Sequence, residues 1–302
     1  MPITSDGNYS PIMDRILNRF KFGFLLTLTA VTVLIWIAVF QLEASHSKLI
    51  LDVFAIGQGD SIFIQSETGT QVLIDGGPSS SVLEKLGGVM PFWDRSLDAV
   101  VLTHPHSDHV TGLIDVVKRY QVGMVIESEA NYSTPEYAEW HRVLKEEHIP
   151  VTIAHAGMRV LLSPKTELDI LAPLRSFVGV SLKNVHDAMV VSRLTYGSTT
   201  VLLTGDMERP LENQLIASGE DLHADILKAG HHGSKTSTSD ELLRAVAPRI
   251  AVISVGKKNP YGHPHQEVLD RLRAFGIQTF RTDLDGDVKF ISDGVRFEKV
   301  SP

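Results

Sequence analysis

The stretch Ala99-Val-Val-Leu-Thr103 runs straight into His104-Pro-His106-Ser-Asp108-His109, four potential metal ligands within six residues. Asp98–Thr103 reads as a buried strand, and His109–Arg119 has the apolar spacing of a helix. The cluster therefore sits where a strand ends and a helix begins. Alternate residues of an extended segment point the same way, so His104 and His106 can share one ion. Asp108 and His109 lie past the turn and can face a second one. Imidazole with carboxylate suits Zn²⁺, Mn²⁺ or Fe. The chain has no cysteine, which excludes thiolate ligands, disulfides and cysteine nucleophiles.

Elsewhere the apolar pattern is regular. Leu49–Ala55, Ser61–Gln65 and Gln71–Ile74 read as strands joined by turns, and Pro135–Glu147 reads as an exposed amphipathic helix. Val190–Tyr196 and Thr200–Thr204 form a hairpin pattern, and Glu208–Ala217 is helical. Strand Ala224–Lys228, helix Asp240–Val246, strand Ile250–Val255 and helix Gln266–Phe275 follow, with short strands closing the chain. Strands come in runs, with helices between the runs. Two sheets packed face to face with helices outside satisfy this order. One parallel sheet with strict alternation fits less well, because no helix separates the first three strands.

The N-terminus stands apart. Phe22 to Leu42 carries no charge, and about 20 apolar residues span a bilayer as a helix. Arg15, Arg19 and Lys21 precede this run, and Lys48 is the nearest cation after it. The positive-inside rule then puts the N-terminus in the cytoplasm and the rest outside. The expected division is a cytoplasmic segment 1–21, a transmembrane anchor 22–42, a linker 43–48 and a globular domain 49–302. A cleaved signal peptide is the alternative; the run is long for one, and Gln41-Leu-Glu-Ala44 is a poor cleavage site. The net charge of −8 argues against a chain coated in basic charge.

His-x-His-x-Asp-His after an apolar strand resembles the signature of the metallo-β-lactamase superfamily, and further markers follow in order. Asp75, in Leu73-Ile-Asp-Gly-Gly77, resembles a carboxylate that orients the metal ligands. Asp206, in Leu203-Thr-Gly-Asp206, resembles the carboxylate that bridges two metals, and His231-His232-Gly-Ser234 resembles the last ligand motif. The resemblance implies an α/β fold, an αββα sandwich, with two divalent ions (Zn or Mn) as cofactors. A narrower resemblance is carried by Val53–Ser61, Thr103–Gly112, Leu227–Ser234 and Asn259-Pro-Tyr-Gly-His-Pro-His265. These are similar to the hydrolase domain of ComEC-type competence proteins, which are polytopic and implicated in DNA uptake. A single membrane segment here replaces the multi-helix channel.

One departure bears on the site. The superfamily usually places another His about twenty residues before the bridging Asp, where the ComEC-like group is expected to carry Asn, with Ser three residues on. Here His186 lies twenty residues before Asp206, and Met189 takes the Ser position. The resemblance then implies a first metal site of His104, His106, His186 and Asp206. The second would use Asp108, His109, Asp206 and one of His231 or His232, because adjacent residues at a strand end point apart. A loop His without a metal role is the other reading of His186.

Two such ions lower the pKa of a bound water, so hydrolysis is the expected chemistry. Asp75 or Asp108 would orient the nucleophile and take its proton, and His263 would protonate the leaving group or hold a phosphate oxygen. From Lys228 to Arg281 there are nine Lys/Arg against four Asp/Glu. With Ser234 and Lys235 beside the last ligand motif, this suggests a phosphate-binding rim and a DNA or other phosphodiester substrate. The region Glu127 to Glu147 is acidic and is expected to face away. A hydrolase of a lactam, lactone or thioester and a non-catalytic DNA-binding module are the alternatives. No aromatic stripe for stacking single strands stands out. The expected place is the cell membrane, single-pass, with the domain on the extracytoplasmic side.

Overall fold

The computed structural model describes residues 11–45, 48–128, 130–182 and 184–300. Residues 1–10 of the expected N-terminal segment and residues 46 and 47 of the expected linker lie outside these. The chain divides into two units, 1–47 and 48–302. The first contains one helix, α1 (Pro11–Ser45), which runs past both ends of the charge-free stretch. Within it Asn18–Val39 has a mean hydropathy of 2.4 and is wholly exposed. By length and composition it can cross a membrane. Thr27, Thr29 and Thr32 each donate their hydroxyl to the carbonyl four residues back, so their polarity is satisfied inside the helix.

The second unit begins with an antiparallel meander, β1 (Leu49–Val53), β2 (Ile62–Gln65) and β3 (Gln71–Ile74). Then come α2 (Ser81–Val89), β4 (Ser96–Leu97), β5 (Ala99–Val101), α3 (Ser107–Val117), β6 (Gln121–Val122), β7 (Val125–Glu127), α4 (Pro135–Glu146) and β8 (Val151–Ile153). The second half runs β9 (Met158–Leu161), β10 (Thr166–Ala172), β11 (Val191–Tyr196), β12 (Thr199–Leu203), α5 (Arg209–Ser218), β13 (Ile226–Lys228), α6 (Asp240–Val246), β14 (Ile250–Ile253), α7 (Gln266–Ala274) and β15 (Gln278–Arg281). It closes with α8 (Thr282–Asp285), β16 (Val288–Ser292) and β17 (Phe297–Val300).

These strands make two large sheets, ordered β17-β16-β1-β2-β3-β5-β7-β8 and β15-β14-β13-β12-β11-β10-β9. Side chains alternate across each strand. Ile62, Ile64, Val72 and Ile74 of the first sheet therefore meet Leu168, Leu194, Val201 and Leu203 of the second in a shared core. The residues that alternate with them turn outward. Phe63 and Leu73 pack under α3 and α4 with Leu113 and Trp140. Leu202 and Leu227 pack under α5, α6 and α7 with Leu215, Leu242 and Val268. The result is the expected αββα sandwich. Helix α2 was not anticipated, and α3 starts at Ser107 rather than His109, which places Asp108 and His109 in its first turn.

Asp52 departs from the apolar pattern of β1. It is 3 % exposed, and its nearer oxygen lies 4.0 Å from Lys289 Nζ. Burial, only partly offset by Lys289, pushes its carboxyl up to about 6. The folded state thus holds this proton across the window between about 3.9, the unfolded value, and about 6, so stability falls as pH rises through it, by up to about 3 kcal/mol. Asp52→Asn is expected to raise unfolding free energy by about 1–2 kcal/mol at pH 7.5 and to flatten the decline between pH 4 and 6. Urea titrations across that range check this, and equal stability of the two proteins at pH 7.5 would contradict it.

Candidate metal centre

The site is built where strands of both sheets end. Thr103, just past β5, donates its amide to Asp75 Oδ1 at 2.8 Å and its hydroxyl to Asp75 Oδ2 at 2.6 Å. Asp75 Oδ2 also lies 2.8 Å from His109 Nδ1, which turns His109 Nε2 toward the site. Asp75 holds this position with a left-handed backbone, φ 58°. Both its oxygens are engaged and it is fully buried. Its carboxylate is engaged with His109 and Thr103 and does not line the cleft. Helix α3 approaches this turn so closely that a Cβ on Gly112 would lie 1.9 Å from Gly76 O.

Two ligand groups converge on Asp206. His104, His106 and His186 form one group, and Asp108, His109, Asp206 and His232 form another, each with one potential ligand atom per residue within 4.8 Å of the others. His186, Asp206 and His231 make a third group that overlaps the first. His104 Nε2 and His106 Nδ1 are 3.0 Å apart. Asp206 Oδ2 lies 3.4 Å from the Nε2 atoms of both His109 and His232, 3.8 Å from His231 Nε2 and 3.9 Å from His104 Nε2. Both His231 and His232 reach Asp206, whereas the sequence suggested that only one of the pair would ligate. The segment is not extended there: φ is 46° at His231 and 53° at His232, so both rings turn inward.

The residues fit divalent ions. His109 Nε2, His186 Nε2, His232 Nε2 and Asp206 Oδ1 are buried and have no hydrogen-bond partner. Unpaired buried polar atoms of this kind are costly unless something binds them. Ligand atoms held ~2.1 Å from one ion lie at most ~4.2 Å apart, close to the spread seen here. The charge distribution agrees. Burial alone would lower His109 and His232, but the surrounding carboxylates, Asp206 first, hold both well above the usual imidazole range. Asp206 stays ionised despite its burial because His232 and His109 face it. His104, by contrast, is pushed down by burial and by His109.

A cleft of about 370 Å³ opens onto the groups, walled by His106, Asp108, His186, Asp206, His231 and His232, with Tyr261 and His263 also lining it; Tyr132 and Glu136 line it too, so the acidic region expected to face away borders the cleft in part. Burial and the neighbouring imidazoles of His231, His232 and His265 lower His263 to about 4, so it is neutral at neutral pH. Ser234 and Lys235 lie outside this wall. The Ser234 hydroxyl pairs with Thr236 at 2.9 Å, and Lys235 is exposed.

Sequence reasoning missed two supports. Glu208 spans two imidazoles, with Oε2 3.5 Å from His186 Nδ1 and Oε1 3.3 Å from His231 Nδ1. Asp60 lies 3.5 Å from His232 Nδ1 and forms a fully buried ion pair with Lys228 at 2.8 Å. Glu208 follows Asp206 by two residues, a proximity that could have flagged it. Asp60 and Lys228 come from opposite halves of the chain, and no local pattern joins them.

Comparison with known proteins agrees with this geometry. Residues 55–257 match the metallo-beta-lactamase superfamily. ComE operon protein 3 of Bacillus subtilis (strain 168) is 30% identical over 276 residues, 86% of this chain and 35% of that protein. Competence protein ComA of Neisseria gonorrhoeae is 31% identical over 252 residues, 81% of this chain and 32% of that protein. Both are ComEC-type competence proteins, and this chain spans about a third of their length. The solved structure of CmlA, a diiron beta-hydroxylase from Streptomyces venezuelae, superposes with a TM-score of 0.53 at 14% identity, covering 84% of this chain and 54% of that one. At that identity the likeness concerns the fold alone.

Proposed function

Since the chain belongs to the metallo-β-lactamase superfamily, we propose that it is a membrane-anchored, metal-dependent phosphodiesterase acting on DNA. The observation that carries the reading is the convergence of two ligand groups on Asp206 in one open cleft. Two divalent ions, Zn or Mn, would supply a water acidified toward neutral pH and positive charge for the phosphoryl oxygens. His104, His106 and His186 would hold one ion and Asp108, His109 and His232 the other, with Asp206 shared and His231 available beside it. Asp75 orients His109, and Glu208 orients His186 and His231. Asp108 is ionised and lies in the cleft wall, where its carboxylate would orient the attacking water and take its proton. His263, being neutral, donates a hydrogen bond to a phosphate oxygen rather than a proton to the leaving group.

Likeness to competence proteins favours DNA over other phosphodiesters, and exposed Lys235, Lys257 and Lys258 on nearby loops favour an anionic substrate. The same reading gives residues 1–21 to the cytoplasm, 22–42 to the membrane, 43–48 to a linker and 49–302 to an extracytoplasmic hydrolase domain, on the charge asymmetry around α1. The full chain in detergent is expected to cleave linear DNA with Mn²⁺ or Zn²⁺, to stop with EDTA, and to lose cleavage on Asp108→Ala. Turnover of a lactam, lactone or thioester without phosphodiester cleavage would sink the proposal, and metal-free DNA binding alone would point to a non-catalytic module.

A further inference from the structure

The wall of the cleft contains a continuous row of rings. From Tyr132 the ring centroids step 5.7 Å to His106, 5.0 Å to His186, 4.8 Å to His231, 5.6 Å to His263 and 5.7 Å to Tyr261. The middle of the row belongs to the ligand groups and His263. The two tyrosines stand at its ends, drawn from segments far apart in the sequence, and have no ligand role.

Each tyrosine is held in place by its backbone. The Asn259 side chain donates to Gly256 O and His263 O and accepts from the His263 amide, at 3.0, 2.7 and 2.9 Å. This staples the loop that carries Tyr261, and the ring remains 64% exposed. Residues flanking Tyr132 are pinned by bridges from Ala130 to Val178 and from Asn131 to Ser181. A single exposed tyrosine is ordinary. Tyr132 is half-buried and packs in part against the core beneath α3 and α4, yet both rings line the same cleft, and flat π-faces accept any base in an exposed stack.

We infer that Tyr132 and Tyr261 are nucleobase subsites on either side of the hydrolytic centre, and hence that the substrate is single-stranded, with the bases flanking the target phosphate unstacked. This rests on the phosphodiester reading above. A duplex keeps its bases paired and stacked inside, where neither ring can reach them. Stacking reads no hydrogen-bonding edge, so tolerance of all four bases follows.

The test uses the full chain in detergent and a single-stranded oligonucleotide containing 2-aminopurine, whose fluorescence falls on stacking. With chelator present, so that binding is read apart from cleavage, Tyr132→Ala and Tyr261→Ala are each expected to weaken quenching affinity about tenfold. The Tyr→Phe variants keep the π-face and should stay near wild type. With Mn²⁺, the preference for a base-bearing strand over an abasic strand of equal length should fall about tenfold in each alanine variant, mainly through KM. Unchanged affinity and unchanged preference in both alanine variants, or faster cleavage of duplex than of single strand, would overturn the inference. Failure of the underlying reading looks different: the wild type would cleave neither base-bearing nor abasic strands with any metal, while tyrosine-dependent quenching persisted.

Discussion

Asp206→Asn is expected to reduce bound metal from two ions per chain to one or none, and to lower metal-dependent hydrolysis by more than the ~100-fold that loss of a ligand's outer partner costs. Asp206 Oδ2 is within 3.4 Å of the Nε2 atoms of His109 and His232 and within 3.9 Å of those of His231 and His104. No other carboxylate among the described residues meets all four. On the proposed reading its replacement would remove the anion shared by both ligand groups, whereas Asp75 and Glu208 would act one step away, through imidazoles. Asp75→Asn and Glu208→Gln are therefore expected to cost only about 10–100-fold in metal affinity. Metal content by mass spectrometry, measured beside steady-state rates, separates the two grades. An Asp206→Asn protein that retained two ions and wild-type rates would refute the bridging role.

The largest effect on stability is expected at a residue that no substrate touches. Lys228 and Asp60 are each 1% exposed and 2.8 Å apart, and Lys228 Nζ also donates to Ala229 O at 3.0 Å. Burial would raise the Asp60 carboxyl, but Lys228 and His232 hold it far below the usual carboxylate range. Lys228→Met leaves that charge buried with only His232, 3.5 Å away, still facing it, which costs about 3–5 kcal/mol. The double variant Lys228→Met/Asp60→Leu removes both charges and is expected to recover most of the loss. Urea unfolding of the wild type, both single variants and the double variant forms the cycle. A double variant no more stable than Lys228→Met would mean that packing around the lysine, not the orphaned carboxylate, sets the cost.

What was legible in the sequence was local. Asp108 and the histidines at 104, 106 and 109 share one short strand-to-helix turn, so their spacing alone pointed to a ligand cluster. The alternation of Phe63 with Ile62 and Ile64, and of Leu202 with Val201 and Leu203, is the two-faced burial seen in the sheets. What was not legible depended on backbone exceptions or distant partners. The inward turn of both His231 and His232 needs left-handed φ values at two consecutive residues, which are uncommon outside glycine. The confinement of Asp75 behind His109 appears only once α3 has packed against Gly76. Lys228 counted in the sequence as one charge in a basic stretch, yet it serves a carboxylate from the opposite half of the chain. The tyrosine pair was invisible for the same reason, since its members meet one cleft from separate loops.

The last strands also bear on how the domain is made. Leu49 pairs with Ser292, and Val53 with Val288, so the earliest strand of the domain takes its second neighbour from the final hairpin. At ordinary synthesis rates the intervening chain takes on the order of tens of seconds to produce. Until then the outer edge of β1 is an open row of unpaired amides and carbonyls, a hazard for association with other chains. A C-terminal truncation just before β16 would make that exposure permanent, even though every candidate ligand of the metal centre would still be present.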